Sequence, residues 1–254
     1  MNTLLITGIS GTLGPVVAQT FARFGWRVVP WDHHRIPPDD LPAAEHFWQD
    51  SQADAVCHVA LGPEHWAAWL AAESARADIP FVFTSSAMVF SVPSQGPYGI
   101  DAERNARDDY GQYKMRCEDA IWQANPQAMI ARLGWQIGEG RGGNQMLEHL
   151  WQQHEQQGVI RASERWLPAT SRMADTALGL MRLIERKEPG LYHFDSNAED
   201  ALNFFQLVER LQHYFDCPWQ VTATEDYVHD QRLVDERFKL LAIHDWIPLG
   251  LPEE

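Results

Sequence analysis

Tyr110 and Lys114 share one short stretch, Tyr110-Gly111-Gln112-Tyr113-Lys114. In a helix, residues at i and i+4 lie on the same face, so the phenol and the ammonium point the same way, while Tyr113 points elsewhere. A phenol can hand its proton to the alkoxide that forms when hydride adds to a carbonyl. A free tyrosine, with a pKa near 10, does this sluggishly at neutral pH; a neighbouring ammonium is expected to lower that value and also to hold a ribose. Ser86 closes a strand-like run, Pro80-Phe81-Val82-Phe83-Thr84-Ser85-Ser86, and its hydroxyl can donate to the same carbonyl or position Tyr110.

Such chemistry needs a hydride source, and the start of the chain has a place for one. Gly8-Ile9-Ser10-Gly11-Thr12-Leu13-Gly14 sits between a strand-like run, Thr3–Thr7, and a helical stretch that opens near Pro15. Glycines in that position allow a tight turn and let backbone N–H groups approach a pyrophosphate at a helix N-terminus. The spacing is GxxGxxG. Asp32 ends the second strand-like run, 18 residues beyond Gly14, where an acid can accept hydrogen bonds from both hydroxyls of an adenosine ribose. That carboxylate would repel a 2′-phosphate, whereas Arg35 would attract one. NADH is therefore favoured and NADPH left open.

Strand and helix signals alternate through these motifs. Strands are expected at 3–7, 27–32, 54–60, 80–86 and 128–133, with helices near 15–24, 63–77 and 108–123 between them. Pro30 is awkward for a central strand and points to an irregular end. This order predicts an α/β fold, a Rossmann-type doubly wound parallel sheet. Beyond about residue 140 the alternation loosens, with helices near 144–157 and 173–186 and short strands at 159–161 and 191–194. The division expected is an NAD(P)-binding domain over 1–140 and a smaller substrate-binding C-terminal lobe over 141–254, interleaved with the main sheet.

Composition agrees with a globular chain of that size: 45% hydrophobic and 22% charged residues. A net charge of −15 argues against nucleic acid as a partner. No apolar run reaches bilayer length, and the N-terminus has no basic leader-like segment, so no membrane contact and a cytoplasmic location are expected. Cys57, Cys117 and Cys217 form no CxxC pair, which suits a reducing compartment. No metal site is expected either: His149 and His154 are five apart, off the helical zinc spacing, and His33-His34 has no carboxylate–histidine partner. A serine hydrolase is ruled out by the lack of a Gly-x-Ser-x-Gly elbow after a strand.

With these residues in order, the chain resembles the extended short-chain dehydrogenase/reductases, and among them the dTDP-4-dehydrorhamnose reductase family. The resemblance runs through the initial glycine turn, Thr84–Phe90, the Tyr110/Lys114 stretch, Gly140–Asn144 and Gly190–Phe194. It also includes Arg132-Leu133-Gly134-Trp135-Gln136-Ile137-Gly138, which is similar to the family's Arg-Thr-Ser-Trp-Val-Tyr. It implies Tyr110 as proton donor, Lys114 as its electrostatic partner and Ser86 in place of a catalytic threonine. It implies Gly8, Ser10, Gly11, Thr12, Leu13 and Gly14 around the pyrophosphate, and Asp32 and Arg35 at the adenosine ribose. Ala60 and Leu61 would flank the cofactor, and Trp135 and Asn144 would meet a nucleotide-sugar-like substrate. The reaction implied is NAD(P)H-dependent reduction of a nucleotide-linked 4-keto sugar in polysaccharide synthesis, with a homodimer left open. Ala87-Met88 stands where the family has Asp-Tyr, and the segment from His58 to Pro80 is short for the family. Epimerisation or dehydration on the same scaffold, or a non-catalytic NAD(P)-binding regulator, are the alternatives.

Overall fold

A computed structural model describes residues 1–92 and 95–247 of the chain. Six strands form the central sheet: β1 (Thr3–Thr7), β2 (Arg27–Pro30), β3 (Ala55–His58), β4 (Phe81–Ser86), β5 (Met129–Leu133) and, after a long excursion, β10 (Gly190–Phe194). Their order is β10-β5-β4-β3-β1-β2, and every neighbouring pair is parallel. Chain order reverses at β1, whose neighbours are β2 on one side and β3 on the other. In open α/β sheets the crevice beyond the carboxyl ends of such strands is where ligands bind.

Helices cover both faces: α1 (Gly14–Arg23) and α6 (Met173–Arg186) on one, α2 (Leu41–Ser51), α3 (Glu64–Arg76) and α4 (Asp109–Ala124) on the other. Side-chain alternation along the strands explains the division. Leu4 and Ile6 pack with Val17, Phe21, Leu180 and Leu183, while Leu5 between them packs with Trp31, Val56, Trp66 and Leu70. A third cluster lies in the C-terminal lobe. It draws on β6 (Trp135–Ile137), α5 (Met146–Gln157), β7 (Ile160–Ser163) and α7 (Phe204–Tyr214), with Ile137, Leu150, Ile160, Leu207 and Leu211 buried in it. The short strands β8 (Trp166–Leu167), β9 (Thr170–Arg172), β11 (Val221–Thr224) and β12 (His229–Asp230) complete it, each in a two-stranded parallel pair. No helix among the described residues is long and apolar enough to cross a membrane.

Several boundaries differ from the sequence expectation for local reasons. β2 stops at Pro30, on the edge of the sheet, where a missing N–H falls on the open side; the next N–H, of Trp31, donates to Ile6 O at 2.8 Å. Helix α2 gave no usable signal: Asp40 caps it by accepting from Ala43 N, but only Ala44 and Ser51 are buried along it. Helix α5 starts at Met146 rather than 144, because Gln145 caps it through Leu147 N and the Asn144 N–H is turned out to Thr12. The last sheet strand, β10, lies beyond residue 141, so the chain returns to the central sheet between two passes through the lobe, α5 to β9 before it and α7 to β12 after it.

Candidate active site

The crevice at the strand reversal is shaped by backbone contacts that tolerate only glycine. Gly8 has φ of +78°, and a Cβ there would sit 2.8 Å from Ala60 N, two residues past the end of β3. A Cβ on Gly14 would fall 2.0 Å from Gly8 O, so α1 starts directly against the turn it follows. Gly11 N donates to Gly8 O at 2.9 Å and closes the turn. Helix α1 opens with no side-chain cap and with Pro15, which has no N–H, in its first turn; Val16 N and Val17 N both donate to Leu13 O at 3.1 Å, so an anion at this helix start would rely on the N–H groups of the glycine turn that precedes them.

Thr7 and His58, which sequence reasoning passed over, hold the two strand ends together. The Thr7 hydroxyl accepts from Val59 N and Ala60 N, both at 3.1 Å, and lies 2.7 Å from His58 Nδ1. With both lone pairs engaged, the hydroxyl must donate to Nδ1, which puts the ring proton on Nε2. Burial, assisted by the nearby Lys114 charge, pushes His58 down to about 3, so the imidazole stays neutral.

A cavity of about 400 Å³ follows from this crevice. Its walls include Gly8, Ser10, Gly11, Thr12, Leu13 and Gly14 from the turn, Ala60 and Leu61 after β3, and Ser86, Tyr110, Lys114 and Asn144. Asp32 and Arg35 stand outside this lining. They pair with each other, Arg35 Nε to Asp32 Oδ2 at 3.5 Å, and Asp32 Oδ1 accepts from His34 N at 3.0 Å. His33 takes the place at the wall instead.

Helix α4 brings its reactive face to the end of β4. Asp108 caps it through Gly111 N at 2.8 Å, and Gly111 lets it press close, since a Cβ there would lie 2.2 Å from Met88 O. The spacing 110, 114, 118 then puts three functional side chains in line on that face. Tyr110 opens to the cleft and hydrogen-bonds with the Ser86 hydroxyl, which also accepts from Met88 N at 3.1 Å. Lys114 is only 2% exposed; its Nζ donates to Thr84 O at 2.9 Å and lies over the Phe83 ring at 4.6 Å. Burial lowers the Lys114 ammonium to about 8. Tyr113 does point elsewhere, to Gly62, donating to its carbonyl at 2.8 Å.

One expectation is corrected. Tyr110 is not shifted toward tyrosinate by Lys114: burial raises the phenol, and the Ser86 hydrogen bond offsets this only partly. The ammonium is 5.9 Å from the Tyr110 ring centroid and aimed at the Thr84 carbonyl, so its field on the phenolic oxygen is weak.

The third residue in line, Glu118, is fully buried. It accepts from Ser85 Oγ, from Arg104 Nη1 at 3.0 Å, and from Arg132 Nε at 3.0 Å and Nη2 at 2.8 Å. Arg132 is itself 2% exposed and lies over the Phe90 ring. This network braces the ends of β4 and β5 beneath Ser86. Its sequence signal was the i+4 step past Lys114, weak by itself.

A second, larger cavity of about 910 Å³ opens between the sheet ends and the lobe. Ser86, Tyr110, Leu133, Gly134, Gln136 and Asn144 line both cavities. One wall of the larger cavity is aromatic: Trp135 and Trp166 lie nearly parallel with centroids 6.0 Å apart, and Phe204 is 4.6 Å from Trp166. Met88 lies on its wall as well, its sulfur taking a weak hydrogen bond from Gln231. Asn144 N donates to Thr12 Oγ1 at 2.8 Å and so ties the lobe to the glycine turn. Among the described residues, no group of three or more His, Cys, Asp or Glu is placed to hold a metal ion.

A doubly wound sheet with a glycine turn at its reversal and a Tyr-x-x-x-Lys helix beside it defines the extended short-chain dehydrogenase/reductase class of fold. The model of the RmlD substrate binding domain matches residues 63–226, and the chain belongs to that family. It is 24% identical over 223 residues to a dTDP-4-dehydrorhamnose reductase of Mycolicibacterium smegmatis, covering 80% of this chain and 66% of the relative. It is 29% identical over 159 residues to a probable low-salt glycan biosynthesis reductase of Haloferax volcanii, covering 52% and 53%. The chain thus spans less than two thirds of the length of these curated relatives. Among solved structures, a dTDP-4-dehydrorhamnose reductase from Bacillus anthracis in complex with NADP superposes with a TM-score of 0.81 at 14% identity, covering 97% of each chain. A UDP-glucose 4-epimerase from Bifidobacterium longum in complex with NAD+ and UDP gives 0.73 at 13% identity, covering 97% of this chain and 96% of the other. These two likenesses establish the fold.

Proposed function

We propose that the chain is an NAD(P)H-dependent reductase of a nucleotide-linked keto sugar, of the dTDP-4-dehydrorhamnose reductase kind. The observation that carries this reading is the meeting of the two cavities at Ser86 and Tyr110. A dinucleotide fits the smaller one: the glycine turn, the uncapped start of α1 and the Thr7-braced crevice suit a pyrophosphate and its riboses. Bound there, a reduced nicotinamide supplies the hydride.

The chain's own residues do the rest. Ser86 and Tyr110 hold the substrate carbonyl by hydrogen bonds, and Tyr110 gives its proton to the oxygen that hydride addition leaves negative. A phenol raised by burial stays protonated at neutral pH, as a donor should. Lys114 holds a ribose, and the tyrosinate left behind keeps the Ser86 hydroxyl as its neighbour. Ser86 shares that charge through its hydrogen bond. Trp135, Trp166 and Phe204 exclude water from one side of the substrate, and the lobe over 141–254 supplies most of that wall. Asp32, two residues past β2, is the acid available to an adenosine ribose at the outer edge of this cavity and would favour NADH, and its pairing with Arg35 would reduce the pull on a 2′-phosphate.

The test is NADH and NADPH oxidation, followed at 340 nm against a panel of nucleotide-linked keto sugars. Stoichiometric oxidation by one member, lost by about 10²–10⁴-fold in Tyr110→Phe, is the expected result. Turnover of a nucleotide sugar with no net oxidation would replace reduction by epimerisation or dehydration. No nicotinamide binding would overturn the proposal.

A further inference from the structure

Gln136 lies on the wall of both cavities, where the smaller one opens into the larger. Strand β6 places it there. β6 and β9 run parallel with Gln136 opposite Ser171, and Gln136 Nε2 donates to Ser171 Oγ and to Gly134 O, both at 3.1 Å. Ser171 is fully buried and its hydroxyl lies 2.8 Å from Thr176 Oγ1, so this anchor is itself held. Exchanging the amide nitrogen and oxygen would set an oxygen against the Gly134 carbonyl, acceptor against acceptor, so the orientation is fixed. Both N–H bonds are then spent, and Oε1 is the side-chain atom left to hydrogen-bond. It is buried and has no hydrogen-bond partner among the described residues. A buried acceptor left unpaired is unfavourable, and a donor brought to it removes that cost. The surroundings sharpen the effect, since Ala87, Met88, Leu133 and Trp135 also line the larger cavity with largely apolar side chains.

We infer that the Gln136 side-chain oxygen reads a hydroxyl on the carbon next to the substrate's keto group, so that the preferred sugar is a vicinal hydroxy-ketone. The inference rests on the reductase reading and adds to it a specificity-determining residue. Position argues for a group close to the reacting carbon. Ser86, which with Tyr110 holds the carbonyl, is in register with Leu133, and Gln136 follows Leu133 by three residues. An oxygen that can only accept selects a donor: a hydroxyl satisfies it, while a deoxygenated carbon leaves it unpaired and shut off from water. An apolar pocket alone tells a hydroxyl from a hydrogen weakly, and a built acceptor does so strongly. In the family's Arg-Thr-Ser-Trp-Val-Tyr the same place is held by valine, whose side chain forms no hydrogen bond, so the selection belongs to this chain.

The experiment compares dTDP-4-dehydrorhamnose with its 3-deoxy analogue on the full chain, by NADH oxidation, with calorimetric NADH binding as a control. Wild type is expected to show kcat/KM about 10–100-fold higher for the 3-hydroxy sugar. Gln136→Met, which keeps the length of the side chain and removes the acceptor, brings that ratio close to one and leaves NADH affinity unchanged. Losing the braces to Ser171 and Gly134 would by itself slow both sugars alike and keep the ratio. An unchanged ratio in Gln136→Met therefore overturns the inference, and a weaker NADH complex beside it gives the oxygen to the cofactor's carboxamide instead. Wild type that binds NADH but shows no preference, or reduces neither sugar, also overturns it, with no variant needed. Failure of wild type to bind NADH would instead strike the reductase reading beneath it.

Discussion

Lys114 carries the clearest solution signature at the scale of single residues. Burial brings its ammonium from 10.5 to about 8, so the proton is present below that pH and is lost above it. With that charge holding the cofactor's ribose, kcat/KM for reduction falls as pH rises past about 8, and Lys114→Met flattens that limb while lowering the rate. Stability moves the other way. The unfolded chain keeps the proton up to about 10.5, so between about 8 and 10.5 it binds more protons than the folded chain and folding strengthens with pH. Urea denaturation across that window, with wild type and Lys114→Met compared, reads the difference directly.

At the scale of elements, helix α4 is an aiming device. Gly111 allows its first turn to approach Met88 O, and any side chain there has to push Tyr110 outward. Gly111→Ala is expected to cut kcat about 10²-fold, with the NADH dissociation constant nearly unchanged. Further along the same face, Glu118→Gln leaves the buried Arg132 short of a counter-charge. It should cost about 3–5 kcal/mol in equilibrium unfolding. Much of this element-level plan was legible beforehand. Glycine spacing, strand–helix alternation and the Tyr110/Lys114 step are local patterns, and they set β1, α1, β4 and α4. Helices α2 and α7 and the short strand pairs of the lobe were not, because their stability comes from partners distant in sequence. The Thr7–His58 clasp was hidden for the same reason: 51 residues separate the two, and only parallel register joins them. Asp32 and Arg35 were legible as residue types, but their pairing with each other depends on a turn whose shape no periodicity encodes.

For the molecule as a whole, one contact links compartments built from opposite ends of the chain. Asn144 lies on the wall of both cavities, and its N–H is bonded to Thr12 in the glycine turn. Whatever settles on that turn therefore sets the position of a residue that the second ligand must meet. Traffic through the protein then has a preferred sequence, dinucleotide first in and last out. Initial-rate and product-inhibition patterns should show ordered kinetics, and Thr12→Val, which removes the acceptor, should relax them toward random order.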